Sequence, residues 1–433
     1  MRLPRFDPFT DAFRAAPDAA YSAYRRAAAV HWGKSPATRA RGAWYVFDTD
    51  LVRHVLRDPA FGRETHRGKQ TGKSTARDIG RGPVAAPPLS SVIDNWVMFR
   101  DPPVHTRLRS VLSEALRRER VETWRTDCRR LADDHAAAAG AMPVFDLVSD
   151  YAVPYAAAVI GLVVGLPATD GRCLAETAAP ISRLLDFHPA PGVQPAAASA
   201  IQTMTRYLTD RWEQSDGAAS ATLLSALRAA TSEGRCSIRE AIHSLILLVA
   251  TGQATLGNLV INAASCLLMH PDQLAALAAD QATPERAIEE TLRFESPVQF
   301  AGRVVLDETR VGGHRFNRGD LVLCALGAVN RDPAATDDAD VFRLDRDRFR
   351  HQSFGGGIHA CVGVNLARMA GAEAIRALAP ILANRTAAWP QRPWRELALF
   401  RARTRLDLHR PCAAASRLPA MCPAHDQEPE RSA

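Results

Sequence analysis

The chain has 433 residues, a net charge of +7 and 47% apolar residues, enough to bury a large core. No run of 18 consecutive apolar residues is present and residues 1–9 lack the apolar stretch of a signal peptide, so a soluble, cytoplasmic protein without a membrane span is expected. Almost all the positive charge is arginine, since Lys34, Lys69 and Lys73 are the only lysines; it is dispersed and accompanies no nucleic-acid-binding motif.

In chain order, a helical stretch at 21–30 precedes a strand-like piece at 43–47 and a segment at 48–56 that reads as a capped helix. Residues 62–91 are rich in Gly, Pro, Ser, Thr and basic residues and read as a long mobile loop. From 105 to 295 the pattern is mostly helical, interrupted at 188–195. Within it, 242–267 is apolar around most of its circumference, as expected for a helix through the protein centre. Strand-like segments follow at 302–311 and 321–326, then a long helix over 364–378. There are no internal repeats. The reading is one catalytic domain over 1–410, with small β-rich parts at about 20–60 and 302–330, and a disordered tail at 411–433.

The cysteines at 128, 173, 236, 266, 324, 361, 412 and 422 form no CxxC pair, which argues against a disulfide framework or a zinc site. Cys361 differs from the rest in lying between a glycine-rich loop and the start of a long helix. Glycines let the backbone turn tightly and approach a large flat ligand. The helix start aims N–H groups and its positive end at the sulfur, so a lowered thiol pKa is expected. A single thiolate so placed can hold heme iron from one side and leave the other side open to dioxygen. Taken without its neighbours, the same residue is one more buried apolar thiol. Two further pairs stand out. Glu290 and Arg293 are three apart on one helix face, and His105 and Arg109 sit at i and i+4 on a helix begun after Pro102–Pro103, where two donors can clamp a carboxylate. Gly252 in the apolar helix costs about 1 kcal/mol relative to alanine, so something else should favour it.

The segment 354–368 resembles the heme-binding signature of the cytochrome P450 family. Phe354, Gly355, Gly357, His359, Cys361, Gly363 and the run Leu366, Ala367, Arg368 fill its positions, and the resemblance extends over roughly residues 5–410. It implies a mainly α fold with a small β region, a triangular prism with heme between a central distal helix and the proximal Cys loop and helix. Cys361 would be the axial ligand of heme b (iron-protoporphyrin IX), and His105, Arg109, Arg303 and His359 would hold the propionates. Trp96 fits a heme edge or a plain core equally. Glu290 and Arg293 resemble the family's ExxR helix, with Arg346 as third member of a buried cluster bracing the Cys361 loop. Residues 330–333 match a family loop with a structural role. Residues 62–91 would cover the substrate pocket, 188–195 would open and close its channel, and Val298 and Phe400 would line it.

One departure from the family pattern stands in the central helix. The pattern there is a small residue, glycine, any residue, an acid and threonine; this chain has Thr251, Gly252, Gln253, Ala254 and Thr255. The resemblance implies an oxygen pocket at Gly252 and Thr255 beside a locally widened helix, but Ala254 cannot relay a proton. Thr255, Thr251 or Gln253 would then organise water, although a Thr251 hydroxyl bonded back to its own helix is an equal alternative. The implied activity is that of an oxidoreductase hydroxylating, desaturating or coupling a hydrophobic small molecule. Electrons would come from NAD(P)H through a ferredoxin and its reductase. A monomer with no membrane or nucleic-acid partner is expected, and the Ala- and Arg-rich composition suggests secondary-metabolite biosynthesis. A basic docking face for the redox partner, or ordinary solvated arginines, would use the charge. Ala254 keeps open a nitric-oxide-reducing member of the same family. A non-catalytic heme sensor or carrier is the alternative outside enzymology.

Overall fold

The computed structural model describes residues 3–36, 42–64, 89–187, 189–214, 221–390 and 394–411. Its longest element is the central helix Ile238–Met269. Ser237 starts it through a capping box: its hydroxyl accepts the Glu240 N–H while the Glu240 carboxylate accepts the Ser237 N–H. Most of its side chains are buried, because it packs against helices Val153–Val164, Gly171–Leu184, Pro284–Phe294 and Val364–Leu382. An apolar circumference is therefore matched by neighbours on nearly every side. Two segments, Leu147–Val164 and Ile238–Met269, are apolar and long enough to cross a membrane by composition, but 67% and 72% of their windows lie inside the fold. They are core helices.

A five-stranded sheet flanks the helices, in the order Val30–Gly33, Ala43–Val46, Leu321–Ala325, Phe300–Val305, Phe61–Gly62. It joins the N-terminal part to the 300s, as the two β-rich stretches at 20–60 and 302–330 imply. Phe6 pins this junction, meeting Tyr24, Tyr45 and Phe47 edge-on at 4.7–5.1 Å. Helix Thr49–Arg57 follows the sheet, with the Asp48 carboxylate accepting the Leu51 N–H at 2.8 Å.

Several boundaries differ from the sequence reading. The strand expected over 302–311 is two elements, Phe300–Val305 and Thr309–Val311. The second turns back into His314–Phe316 through Gly312 and Gly313, both at positive φ as a tight hairpin requires. Inside the stretch read as helical, Val144–Asp146 is a strand paired with Asp407–His409. Asp146 fixes this corner by accepting the N–H groups of Val148 and Leu406. The break expected at 188–195 is shorter, since helix Val193–Gln214 has already begun. Of the loop read at 62–91, residues 65–88 lie outside the described residues, and Leu89–Ile93 is a short helix. The tail from 412 lies outside them too.

Candidate active site

A cavity of about 360 Å³ lies between the central helix and the Cys361 loop. Thr251, Gly252 and Thr255 line one wall; Phe354, Gly355, Cys361 and Gly363 line the other; His105, Arg109, Arg303 and His359 close one edge. Residues spread over more than 250 positions of sequence are thus brought to one chamber. The Cys361 sulfur opens into it. The loop is tight: the Cys361 N–H donates to Phe354 O at 2.9 Å, and Gly355 and Gly357 both adopt φ of +68°. A side chain on Gly357 would collide with the Leu56 carbonyl oxygen. The thiol pKa is raised, contrary to expectation. Burial is the largest influence, and the Gly363 N–H bonded to the sulfur and the nearby Arg109 guanidinium offset it only in part. Arg109 also donates to Ala360 O, fastening its helix to the Cys loop.

The edge is strongly cationic. Arg303 is buried, and burial lowers its pKa. His359 is pushed down to about 4, first by burial and then by Arg303, Arg63 and His105; only its hydrogen bond with Asp101, at 3.4 Å, opposes this. Burial would raise the Asp101 carboxyl, but His359 and the N–H groups of Glu64 and Arg63 bring it to about 2. Three buried nitrogens here, His105 Nδ1, Arg303 Nε and His359 Nδ1, have no hydrogen-bond partner. Buried polar atoms are normally partnered. Unmet donors and surplus positive charge, above a thiol at the cavity floor, fit a flat ligand carrying two carboxylates, as heme does.

Two members of this edge were missed by sequence reasoning. Arg63 stands at the start of what reads as a polar loop, yet its guanidinium lies in the cavity wall, donating to Met98 O at 2.9 Å and Gly302 O at 2.7 Å. Burial and Arg303 lower its pKa to about 9. Asp101 precedes the Pro102–Pro103 helix start and carries no signal of its own beside the more conspicuous His105 and Arg109. Trp96 is fully buried behind Phe99, stacked at 6.3 Å, and does not line the cavity, but its Nε1 is a further buried donor without a hydrogen-bond partner.

On the central helix the Thr251 hydroxyl donates to Leu247 O at 2.7 Å and the Thr255 hydroxyl to Thr251 O at 2.8 Å. The first is the bonding-back alternative, and it holds for both threonines. The local widening expected of this helix is absent: it is α-helical throughout. Gly252 lines the cavity and also admits Ile160, whose Cδ1 stands 2.9 Å from where a Cβ would lie. Gln253 is buried and does not line the cavity, and its Oε1 has no hydrogen-bond partner.

The sequence model of the family described as Cytochrome P450 matches residues 284–375. Cytochrome P450 107B1 of Saccharopolyspora erythraea is 35% identical over 333 residues, 76% of this chain and 78% of that protein. This chain belongs to the cytochrome P450 family. The P450 monooxygenase PikC of Streptomyces venezuelae is 32% identical over 371 residues, 84% of each chain. The crystal structure of P450BioI in complex with hexadec-9Z-enoic acid ligated acyl carrier protein superposes with a TM-score of 0.81 at 28% identity, covering 92% of this chain and all of that one. The fold is therefore the P450 fold, the protein an oxidoreductase, and a heme-iron cofactor is implied.

The P450 brace is present but acts indirectly. The Glu290 carboxylate accepts Arg293 Nε and Nη2 at 2.8 and 2.7 Å, Arg346 Nε at 2.9 Å and the Arg343 N–H at 3.0 Å. All three side chains are buried, and the two guanidinium groups clamp carbonyls between 330 and 341. None of them touches the Cys loop. Asn330 makes that link: its Oδ1 accepts the Gln352 N–H at 2.6 Å and its Nδ2 donates to Ser353 Oγ at 2.7 Å. Glu289 makes a second link, pairing with His351 at 3.2 Å and with Arg368 at 2.6 Å. Val298 and Phe400 both line the cavity and are bridged to each other.

Proposed function

We propose that this P450 is a monooxygenase acting on a hydrophobic small molecule, with Cys361 as the iron ligand of heme b. The observation that carries the reading is the single thiol facing Gly252 and Thr255 across a cavity whose edge holds unpartnered buried donors. Bound there, heme supplies dioxygen activation using two electrons delivered one at a time. Arg109 and the Gly363 N–H temper electron donation from the sulfur. Arg109, Arg303 and the newly found Arg63 would hold and neutralise the propionates, with His105 and His359 as hydrogen-bond donors to them. Ile160, Phe187, Val298, Leu399 and Phe400 exclude water and orient an apolar substrate. The hydroxyls of Thr251 and Thr255 donate to their own helix but keep acceptor lone pairs, so each can order a water that delivers protons in place of an acid at 254.

Electrons are assigned to an iron–sulfur ferredoxin and its reductase. The carrier-ligated fatty acid in the P450BioI complex supports a chain-like substrate as one option. A role in secondary-metabolite tailoring is supported by composition and by the likeness to PikC. A nitric-oxide-reducing enzyme is favoured by Ala254 but not by an apolar chamber of this size. The deciding experiment is the carbon monoxide difference spectrum of the reduced protein. Wild type should show the thiolate-type band and Cys361→Ala should not; retention of the band in the variant refutes the ligand assignment. Rapid decay of the ferric nitrosyl complex on adding NADH alone would favour the second reading.

A further inference from the structure

Asp101 sits where three parts of the chain meet at the cationic edge of the chamber. It is buried, and its carboxylate accepts the Arg63 N–H at 3.0 Å and the Glu64 N–H at 2.8 Å. His359 Nε2, from the Cys361 loop, stands 3.4 Å from the same carboxylate. The Asp101 carbonyl accepts the His105 N–H at 3.1 Å, at the start of helix Val104–Ala115. Gly62 makes the room, since a Cβ there would lie 2.5 Å from Asp101 Oδ2. Asp101 itself does not line the cavity, but Arg63, His105 and His359 all do. One residue outside the chamber thus fixes three side chains on its edge, each from a different part of the chain.

The same carboxylate sets the charge of that edge. Among its side chains that keep one charge state at neutral pH, Arg63, Arg109 and Arg303 bring three positive charges and Asp101 one negative. Glu64 and Arg100, beside them, pair with each other at 2.9 Å and leave the count unchanged. The surplus is two, which matches the two carboxylates of heme. Without Asp101 the surplus would be three, and the turn that presents Arg63 would lose its anchor.

We propose that Asp101 is a positioning residue for the heme: it holds Arg63, His105 and His359 at the propionate edge and leaves that edge with the two positive charges a diacid needs. The inference rests on the reading of the chamber as a heme site and adds to it a residue that does not touch the ligand.

The test uses the heme-loaded full chain as wild type, Asp101→Asn and Asp101→Ala. The ferric–ferrous midpoint potential is read by spectroelectrochemistry, and heme retention by the rate of transfer to apomyoglobin. An anion beside the heme opposes the incoming electron. Both variants should therefore favour the ferrous state about tenfold more than wild type, a rise of about 59 mV for one electron. A residue that only braced the fold would leave the potential of Asp101→Asn unmoved, because an amide oxygen can still accept the Arg63 and Glu64 N–H groups. Those retained bonds should keep heme transfer from Asp101→Asn within about threefold of wild type, whereas Asp101→Ala should lose heme about tenfold faster. A change below about threefold in the reduction equilibrium of Asp101→Asn, or equal heme transfer from wild type and Asp101→Ala, overturns the proposal. Should Asp101→Ala not fold, the isosteric Asp101→Asn carries the test through its potential. The carbon monoxide band, recorded on the same samples, keeps the two readings apart. A thiolate-type band with an unmoved potential overturns the role of Asp101 alone; a wild type without that band overturns the heme-thiolate reading and this inference with it.

Discussion

Glu290→Gln should unfold the P450 at a measurably lower temperature and loosen its hold on heme. The carboxylate accepts four N–H groups, two from Arg293, one from Arg346 and one from the Arg343 backbone. The amide keeps one acceptor oxygen, turns an NH₂ toward guanidinium and leaves two buried cations without an anion. Removing one partner of a buried ion pair costs about 3–5 kcal/mol, a large share of a net stability of about 5–15 kcal/mol. Unfolding entropy of about 2.1 cal/mol/K per residue, over 433 residues, gives about 0.9 kcal/mol/K. The midpoint should therefore fall by about 3–6 K. Because the cluster reaches the Cys loop only through Asn330, the heme-to-protein ratio should fall less steeply than stability does. The assay is a circular dichroism melt at fixed scan rate with heme quantified before and after. A midpoint within about 1 K of wild type would refute the reasoning.

Gly357→Ala combines positive φ with a collision at Leu56 O, and should lower stability by about 2–4 kcal/mol and reduce heme occupancy, whereas Gly171→Ala, with open space around it, should be silent. Equal melting of the two variants would contradict this. Ala254→Glu should lower the fraction of electrons lost to peroxide; an unchanged fraction means the missing acid is immaterial. Burial alone would raise the Glu289 carboxyl, but hydrogen bonds from His351 and Arg368 outweigh it and hold the pKa at about 2 against an ordinary 4.5. A depressed carboxylate stabilises fully above its unfolded value and loses that contribution as pH falls toward its folded one. Wild type should thus exceed Glu289→Gln by about 2 kcal/mol at pH 5, with the gap narrowing below about pH 4.5. Urea midpoints at pH 5, 4 and 3 read it, and a gap that widens over that range would have the wrong sign.

What can be read in the sequence is what depends on local pattern. The Cys361 loop, the all-round apolar helix at its centre and the Glu290–Arg293 spacing are each written in a few consecutive residues, and the structure brings them together as the family resemblance implies. What escapes depends on contacts distant in sequence. Arg63 reads as part of the polar loop at 62–91 because its role is defined by Met98 O and Gly302 O. That Gly252 also makes room for Ile160 cannot be read from the sequence, because nothing in its neighbourhood announces that side chain. The direction of the Cys361 pKa is missed for a related reason: a helix dipole can be seen in sequence, and burial cannot.

The scarcity of lysine takes on a physical meaning once the interior is seen. Arg293, Arg303, Arg331, Arg346, Arg401 and Arg403 are all buried, positions where a lysine would shed its proton or demand an acid of its own. Arg293 shows why the guanidinium suits them. Its five N–H donors make five hydrogen bonds, two to Glu290 and one each to the carbonyls of Asn330, Ala339 and Val341. A lysine ammonium at the same place offers three donors from one point and could not span the helix and the 330–341 loop together. These arginines carry none of the +7 net charge inward, because the buried carboxylates of Glu64, Asp101, Asp186, Glu290, Glu295, Asp332 and Glu373 outnumber them among the described residues. Arginine is thus structural glue in the core, while the excess positive charge lies outside it, where a redox partner can meet it.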